Sequence, residues 1–403
     1  MLSIEEALDK IRAGISPLGT EEIFITDGLG RVLAEDVIAT VSHPPQAVSA
    51  MDGYAVRAED AASVPVALTQ IGEAAAGHTF EGKIGAGECA RIFTGGGLPE
   101  GADSIVIQED TDTDGSAVIV KQAAVLGEWV RPEGLDFAAG KVLLSAGRVL
   151  TARDIGLAAA AGATWIRVRR KPRIAVLSTG DEIVMPGAPR RPDQIVSSNS
   201  VALVAYAEVL GAEGVSIGIA EDRPDSLRER LRDAAGFDIL VTSGGASVGD
   251  HDLVQSVFGD EGLELGFYKI AMRPGKPLIF GRIGETYLLG LPGNPVSTGV
   301  TAAIFLKAAV ECMLGIAAAP LYQAARLGRD LKANGKRLDF MRASLAPSDC
   351  DLPTATPFER QDSSMMALFA DADCLVMREI GAPEAKAGDI VKIVPLGFSL
   401  TKF

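Results

Sequence analysis

Apolar positions along the chain follow three rhythms. Residues 3–15 carry Ile4, Leu8, Ile11 and Ile15 on one helical face, and Ser3 with Glu6 makes the capping box that starts such a helix. Residues 21–39 read as short strands around the Asp27-Gly28-Leu29-Gly30 turn. From 64 to 145 apolar and polar residues alternate in short runs, such as 64–72, 89–94 and 117–121, broken by Gly, Asp and Pro. A helix is expected over 151–164, capped by Thr151. Between 173 and 318 continuous apolar runs at 173–177, 214–219, 238–242, 277–280 and 286–290 alternate with helical patterns at 199–210, 225–235 and from 295 onward. That alternation predicts an open α/β sheet. Short strands and turns return from 321, predicting a small β-barrel-like domain. The expected architecture is multidomain α/β plus β: an N-terminal region of residues 1–45 plus 141–171, an inserted β-rich domain over 46–140, an α/β domain over 172–318 and a C-terminal β domain over 319–403.

Three glycine-rich turns punctuate the α/β stretch: Thr242-Ser-Gly-Gly-Ala-Ser-Val-Gly-Asp250, Arg273-Pro-Gly-Lys-Pro277 and Leu291-Pro-Gly-Asn-Pro295. The last leads straight into a helix, where Asn294 can cap and Pro295 fits the first position because its missing N–H costs nothing there. Free backbone N–H groups at such a helix start favour an anion. The Gly244-Gly245 pair can fold its amides into a similar concavity. Lys269, Arg273 and Lys276 add fixed positive charge nearby. Ligands of open α/β sheets sit at the carboxyl ends of the strands, where 178–182, 242–252 and 291–295 converge. The pattern predicts a site for a strongly anionic ligand.

Composition narrows the partner. A formal charge of −15 over 403 residues argues against nucleic acid or an anionic membrane, and suits a small anion held in a local basic pocket. The four cysteines, Cys89, Cys312, Cys350 and Cys374, are far apart and form no C-x-x-C pair, which fits a reducing cytosol better than a disulfide or zinc framework. The N-terminus has no basic-then-apolar signal pattern, so a cytoplasmic protein is expected. Lys307 and Glu311 interrupt the apolar run 296–316, which reads as a buried helix rather than a membrane span.

Five segments, in order, carry a family resemblance: Ser49-Ala-Met-Asp-Gly-Tyr-Ala-Val56, Gly180-Asp-Glu182, Ser243-Gly-Gly-Ala-Ser-Val-Gly-Asp250, Pro274-Gly-Lys-Pro277 and Gly290-Leu-Pro-Gly-Asn-Pro-Val-Ser297. The chain resembles the MoeA family of molybdopterin molybdenumtransferases, and is similar to the E domain of gephyrin. The resemblance implies insertion of molybdate into the dithiolene of adenylylated molybdopterin, with release of AMP and molybdenum cofactor. It further implies Mg²⁺ dependence, an elongated homodimer with a site shared between subunits, and a possible molybdopterin adenylyltransferase partner. The alternatives are an adenylyltransferase-like enzyme and a non-catalytic scaffold of the same fold.

By the same resemblance, Asp52, Asp136, Glu182, Asp222 and Asp252 are the catalytic candidates. The resemblance gives Thr94, Lys269, Arg273, Arg342 and Ser364 as substrate-binding candidates, and the turns and their basic loop add Ser243, Gly244, Gly245, Lys276, Pro292, Asn294 and Pro295. Three departures stand out: Arg131-Pro-Glu-Gly-Leu-Asp136 replaces the usual Arg-x-x-Gly-Glu-Asp, Thr-Gly-Gly-Gly replaces Thr-Gly-Ala-Pro at 94–97, and Arg273 stands where some members have lysine. Mg²⁺ prefers oxygen ligands and keeps several waters, so one or two of Glu182, Asp222 and Asp252 suffice to hold it against a phosphate. Blander roles compete. Asp222 and Asp250 can be helix caps, Asp52 sits in a turn that favours Asp for local reasons, and His251 reads as merely exposed.

Overall fold

A computed structural model describes residues 1–78, 80–245, 253–348 and 351–397. The capping box closes at the start of the first helix, Ile4–Gly14: Glu6 N donates to Ser3 Oγ at 3.1 Å, and Ser3 N to Glu6 Oε2 at 2.8 Å. The sequence groups this helix with the N-terminal region. Its buried face, Ile4, Ala7, Leu8 and Ile11, instead joins the core of the α/β domain beside Ile174, Val176, Phe305 and Met313. Tyr287 Oη donates to Gly14 O at 2.8 Å and secures its end. The chain then leaves the α/β domain, and Thr20–Phe24 pairs with Trp165–Arg169.

The inserted region forms a six-stranded sheet in the order Ser104–Ile107, Gly53–Val56, Glu88–Ile92, Val66–Ala74, Ala117–Val120 and Thr111–Asp114. Gly53 is required where it lies, because a Cβ there would stand 2.0 Å from Val106 O. The next helix runs Ala152–Ala160, shorter than expected; Gly162, at φ +85°, turns the chain out of it.

The α/β sheet has the order Glu213–Ala220, Arg173–Thr179, Ile239–Ser243, Thr286–Leu291, Ile279–Ile283 and Glu264–Tyr268. The first four strands are parallel, and the last two pair antiparallel at one edge. Strand pleat explains the unbroken apolar runs. Ile174, Val176, Ile239, Val241, Leu289 and Leu291 enter one core, while Ala175, Leu177, Leu240 and Leu288 enter the other. Helices Asn199–Val209 and Pro295–Leu314 contribute to the first core, and Pro224–Asp233 and Leu253–Asp260 to the second. Pro295–Leu314 passes through a π-helical turn at Ala302–Leu306; it is long and apolar enough to cross a bilayer, but it is mostly buried.

The C-terminal strands close into a small barrel. Leu338–Ala346, Thr354–Pro357, Gln323–Leu327, Ile390–Pro395 and Cys374–Arg378 pair in turn, and the last pairs back onto the first. Met272–Arg273 adds to the barrel in parallel beside Leu338 and Asp339, tying it to the α/β domain.

Candidate active site

Register sets the site. Ser178 lies opposite Ser243, and Ser243 opposite Leu291, so three parallel strands reach one common row, and Arg173–Thr179 runs one residue past it. Chain connections run outward in opposite directions from Arg173–Thr179 and Ile239–Ser243, the arrangement that leaves a crevice beyond the carboxyl ends. A cavity of about 980 Å³ opens there. Its floor is made by Gly180, the pair Gly244-Gly245 and the turn Pro292–Asn294, with Ser364 reaching in from a loop between barrel strands.

The glycines have no substitutes. Gly244 and Gly245 have φ of +97° and +67°, and a Cβ on Gly244 would stand 2.6 Å from Thr179 O. One on Gly245 would stand 2.4 Å from Val254 Cγ2. Thr179 Oγ1, buried beside this pair, has no hydrogen-bond partner among the described residues.

Asn294 occupies the cap position before Pro295, but its side chain does not cap. Its Nδ2 donates to Ser363 Oγ at 3.1 Å, and Thr298 N donates to Asn294 O at 2.9 Å. The amide therefore ties the turn to the loop that carries Ser364. Ser364 Oγ donates to Asp362 Oδ1 at 2.6 Å, and Ser364 N to the same oxygen at 2.9 Å. Asn199, absent from the expected set, lines the cavity too and donates Nδ2 to Ser243 Oγ at 2.8 Å and to Gly293 O at 2.7 Å. The available signal was the polar run Ser197-Ser198-Asn199-Ser200 opening an otherwise apolar helix.

Two carboxylates line the cavity. The Glu182 side chain folds back over Gly180, whose added Cβ would meet Glu182 Oε2 at 2.3 Å. Asp222 N donates to Asp181 Oδ1 at 3.0 Å; burial pushes the Asp222 carboxyl above its usual pKa, and the Asp181 and Glu182 charges add to that. Asp252 lies outside the described residues, with Asp250 and His251.

The expected cations stand apart from this lining. Lys269, at φ +71°, sets its Nζ 4.4 Å from the centre of the Tyr268 ring. Arg273 forks onto the buried Asp339 carboxylate, so its charge is engaged at the barrel junction. Lys276 accepts the Ile270 N–H at its carbonyl. Arg342 is 1% exposed and turns inward. Its Nη1 donates to Met365 O at 3.0 Å and Nη2 to Arg360 O at 3.3 Å, while Nε meets Gln361 Oε1. It braces the loop behind Ser364 and does not line the cavity.

Asp52, Thr94 and Asp136 are also outside the lining. Asp52 Oδ1 accepts from Thr94 N at 2.7 Å and from Thr94 Oγ1 at 2.8 Å; these two donors, backbone first, hold its carboxyl below the usual range, helped by the Arg91 charge. Arg91 is stacked over both Tyr54 and Phe93 and donates to Gly53 O. Asp136, exposed, donates its backbone N–H to His43 O at 3.0 Å. Of the expected set, the cavity thus gathers Glu182, Asp222, Ser243, Gly244, Gly245, Pro292, Asn294, Pro295 and Ser364.

Three sequence families match the chain in succession: the MoeA N-terminal region (domain I and II) over 2–162, a probable molybdopterin binding domain over 175–311, and the MoeA C-terminal region (domain IV) over 324–396. A protein named molybdopterin molybdenumtransferase from Nostoc sp. is 38% identical over 336 residues, spanning 81% of this chain and 77% of its own. One of the same name from Haemophilus influenzae is 30% identical over 405 residues, 99% of this chain and 100% of its own. A crystal structure of a molybdopterin biosynthesis MoeA protein from Pyrococcus horikosii superposes with a TM-score of 0.87 at 33% identity, covering 99% of this chain and 100% of that one. With every segment of the fold accounted for in this way, the chain belongs to the MoeA family.

Proposed function

We propose that this protein inserts molybdenum from molybdate into adenylylated molybdopterin, releasing AMP and the molybdenum cofactor. The observation that carries the reading is the cavity at the aligned strand ends, in a chain that matches molybdopterin molybdenumtransferases along its length. Both substrates are anions. The Gly244-Gly245 and Pro292–Asn294 turns offer backbone donors to phosphate oxygens. Lys269 and Lys276 add long-range positive potential that draws the anions in.

Mg²⁺ fits this cavity in a limited way. Among the described residues no three His, Cys, Asp or Glu side chains converge to chelate a metal alone. Glu182 and Asp222 share one wall; burial first, then the Asp181 and Glu182 charges, pushes the Asp222 carboxyl up, and a divalent cation offsets both effects. Glu182 and Asp222, with Asp252, are the residues that would hold it, leaving positions for waters and phosphate. When bound, it neutralises charge on the phosphate oxygens. Ser243 and Ser364, both in the cavity lining, orient the substrate. Asp52, Thr94 and Asp136 act on the cavity of the partner in a homodimer, which accounts for polar groups that stand outside their own chain's lining.

The test is incubation with adenylylated molybdopterin, Mg²⁺ and molybdate, following AMP and cofactor together. Release of both in equal amounts, dependent on molybdate, is expected. Consumption of ATP with no adenylylated substrate added, or no turnover at all, would overturn the reading.

A further inference from the structure

Asn199 stands at the first position of the helix Asn199–Val209, on the wall between two cavities: the site itself and a smaller, mostly apolar one of about 320 Å³ behind Pro295 and Thr298. Its Nδ2 carries two hydrogens and has three acceptors in reach: Gly293 O at 2.7 Å, Ser243 Oγ at 2.8 Å and Thr298 Oγ1 at 3.2 Å. Those acceptors belong to three different parts of the site, namely the end of one strand, the proline-glycine turn and the helix that follows it. Thr298 Oγ1 gives its own proton to Pro292 O at 2.6 Å, so it is free to accept from Asn199. Ser243 and Thr298 are both buried.

The tie matters because the side-chain link between the two turns themselves is long: Ser243 Oγ donates to Pro292 O at 3.5 Å. Gly293 lies beside Gly244: a Cβ on it would meet Gly244 Cα at 3.5 Å, in ordinary van der Waals contact. Among the described residues a single backbone bond, Gly244 N to Leu291 O at 3.2 Å, links the chains at that level. A shift of the Gly293 carbonyl would therefore strain this bond and move the Gly244-Gly245 turn at the cavity floor.

We infer that Asn199 is a positioning residue for the reaction at this site, fixing the Gly244 and Gly293 turns at one spacing so that the two turns face the same anion. The inference rests on the proposed reaction. Loss of two neutral hydrogen bonds corresponds to roughly a tenfold to hundredfold change in the population of the aligned turns.

Asn199→Asp is the decisive variant. It keeps the size and replaces the donor with oxygen. When ionised, the new carboxylate repels Gly293 O; when protonated, it can donate one hydrogen to that carbonyl. Nearby carbonyl oxygens disfavour the charged form and raise its pKa. Relative to the unaltered protein at each pH, turnover should fall by at least about tenfold in mildly alkaline solution, mainly in kcat, and recover as pH falls. Asn199→Ala should lose activity with no such recovery. Exchange of the Gly244 amide, measured with no substrate present, should quicken in Asn199→Asp at alkaline pH and slow again on acidification, while the strand Arg173–Thr179 stays protected. A pH profile parallel to that of the unaltered protein, or unchanged Gly244 exchange, would overturn the inference. Quickened exchange with undiminished turnover would overturn it as well. An unaltered protein that does not turn over would refute the proposed reaction instead, with amide exchange still deciding whether Asn199 ties the turns.

Discussion

Asp52 and Asp222 are two acidic side chains in opposite electrostatic settings. Asp52, on the inserted β sheet, receives two hydrogen bonds from Thr94 and has Arg91 nearby, so its carboxylate is favoured. Asp222, at the cavity, is partly desolvated beside Asp181 and Glu182, so its carboxylate is disfavoured. One group is made ready to stay charged by its own chain; the other is left in a state that an incoming cation improves. Folding alone satisfies the Asp52 carboxylate, whereas it leaves the Asp222 carboxylate desolvated beside like charge.

The strongest way to break this contrast is to ask whether both groups serve one site. Asp52→Ala and Asp222→Ala should each reduce turnover by on the order of a hundredfold, as loss of a single polar group in a catalytic site commonly does. If the homodimer shares its sites, mixed dimers purified through two different tags carry both defects in one site and neither in the other, so about half the activity should return. Folded mixed dimers as inactive as their parents would place Asp52 and Asp222 in sites built from one chain.

Asp222→Asn sharpens the contrast with a smaller effect. Folding raises the Asp222 pKa, so the folded state holds this proton more tightly than the unfolded chain. The carboxyl therefore costs stability above its folded pKa, and the cost fades as pH falls toward the unfolded value. The Asn variant should melt slightly higher than the unaltered protein near neutral pH, with the gap closing on acidification. Mg²⁺ should raise the melting temperature of the unaltered protein more than that of the variant. Turnover at limiting Mg²⁺ should drop by about tenfold and partly recover at high Mg²⁺. A variant that melts lower at every pH would mean the carboxylate is a structural cap.

The smallest effect is expected from Thr94→Val, which removes the hydroxyl donor and keeps the backbone one. The sign is opposite to that of Asp222: the Asp52 pKa is depressed, so whatever the ionised form contributes is present above the unfolded pKa and is lost as pH falls through the folded one. The variant should lose it at a higher pH, visible as an upward shift in the Asp52 carboxyl titration followed by NMR. No shift would leave the backbone N–H of Thr94 as the only donor that matters.

Much of this fold is legible in the chain because each element carries its own signal. Ser3 with Glu6, the five apolar runs and the glycine turns at strand ends are all local patterns, and they lead to the cavity floor. What escapes the sequence is pairing over distance. Arg273 and Arg342 read as ligand-binding cations, yet one is engaged by Asp339, 66 residues away, and the other by the loop around Gln361. Asn199 was passed over because its acceptors Ser243 and Thr298 lie 44 and 99 residues further on. The edge strand Glu264–Tyr268 lacked a clear apolar run because most of it is exposed. The first helix reads as N-terminal in sequence and is central in the core.

The common row shared by Ser178, Ser243 and Leu291 makes the sheet a gauge for the site. One residue inserted within Ile239–Ser243 would push Gly244 about 3.3 Å beyond its neighbours and exchange the two core faces of every side chain after it. The same insertion near Gly236, at the amino end of that strand, would be taken up in a loop and leave the row intact. Length is therefore constrained unevenly along this domain: strand spans between the two ends of the sheet cannot drift, while the connections opposite the cavity can lengthen without the turns losing alignment.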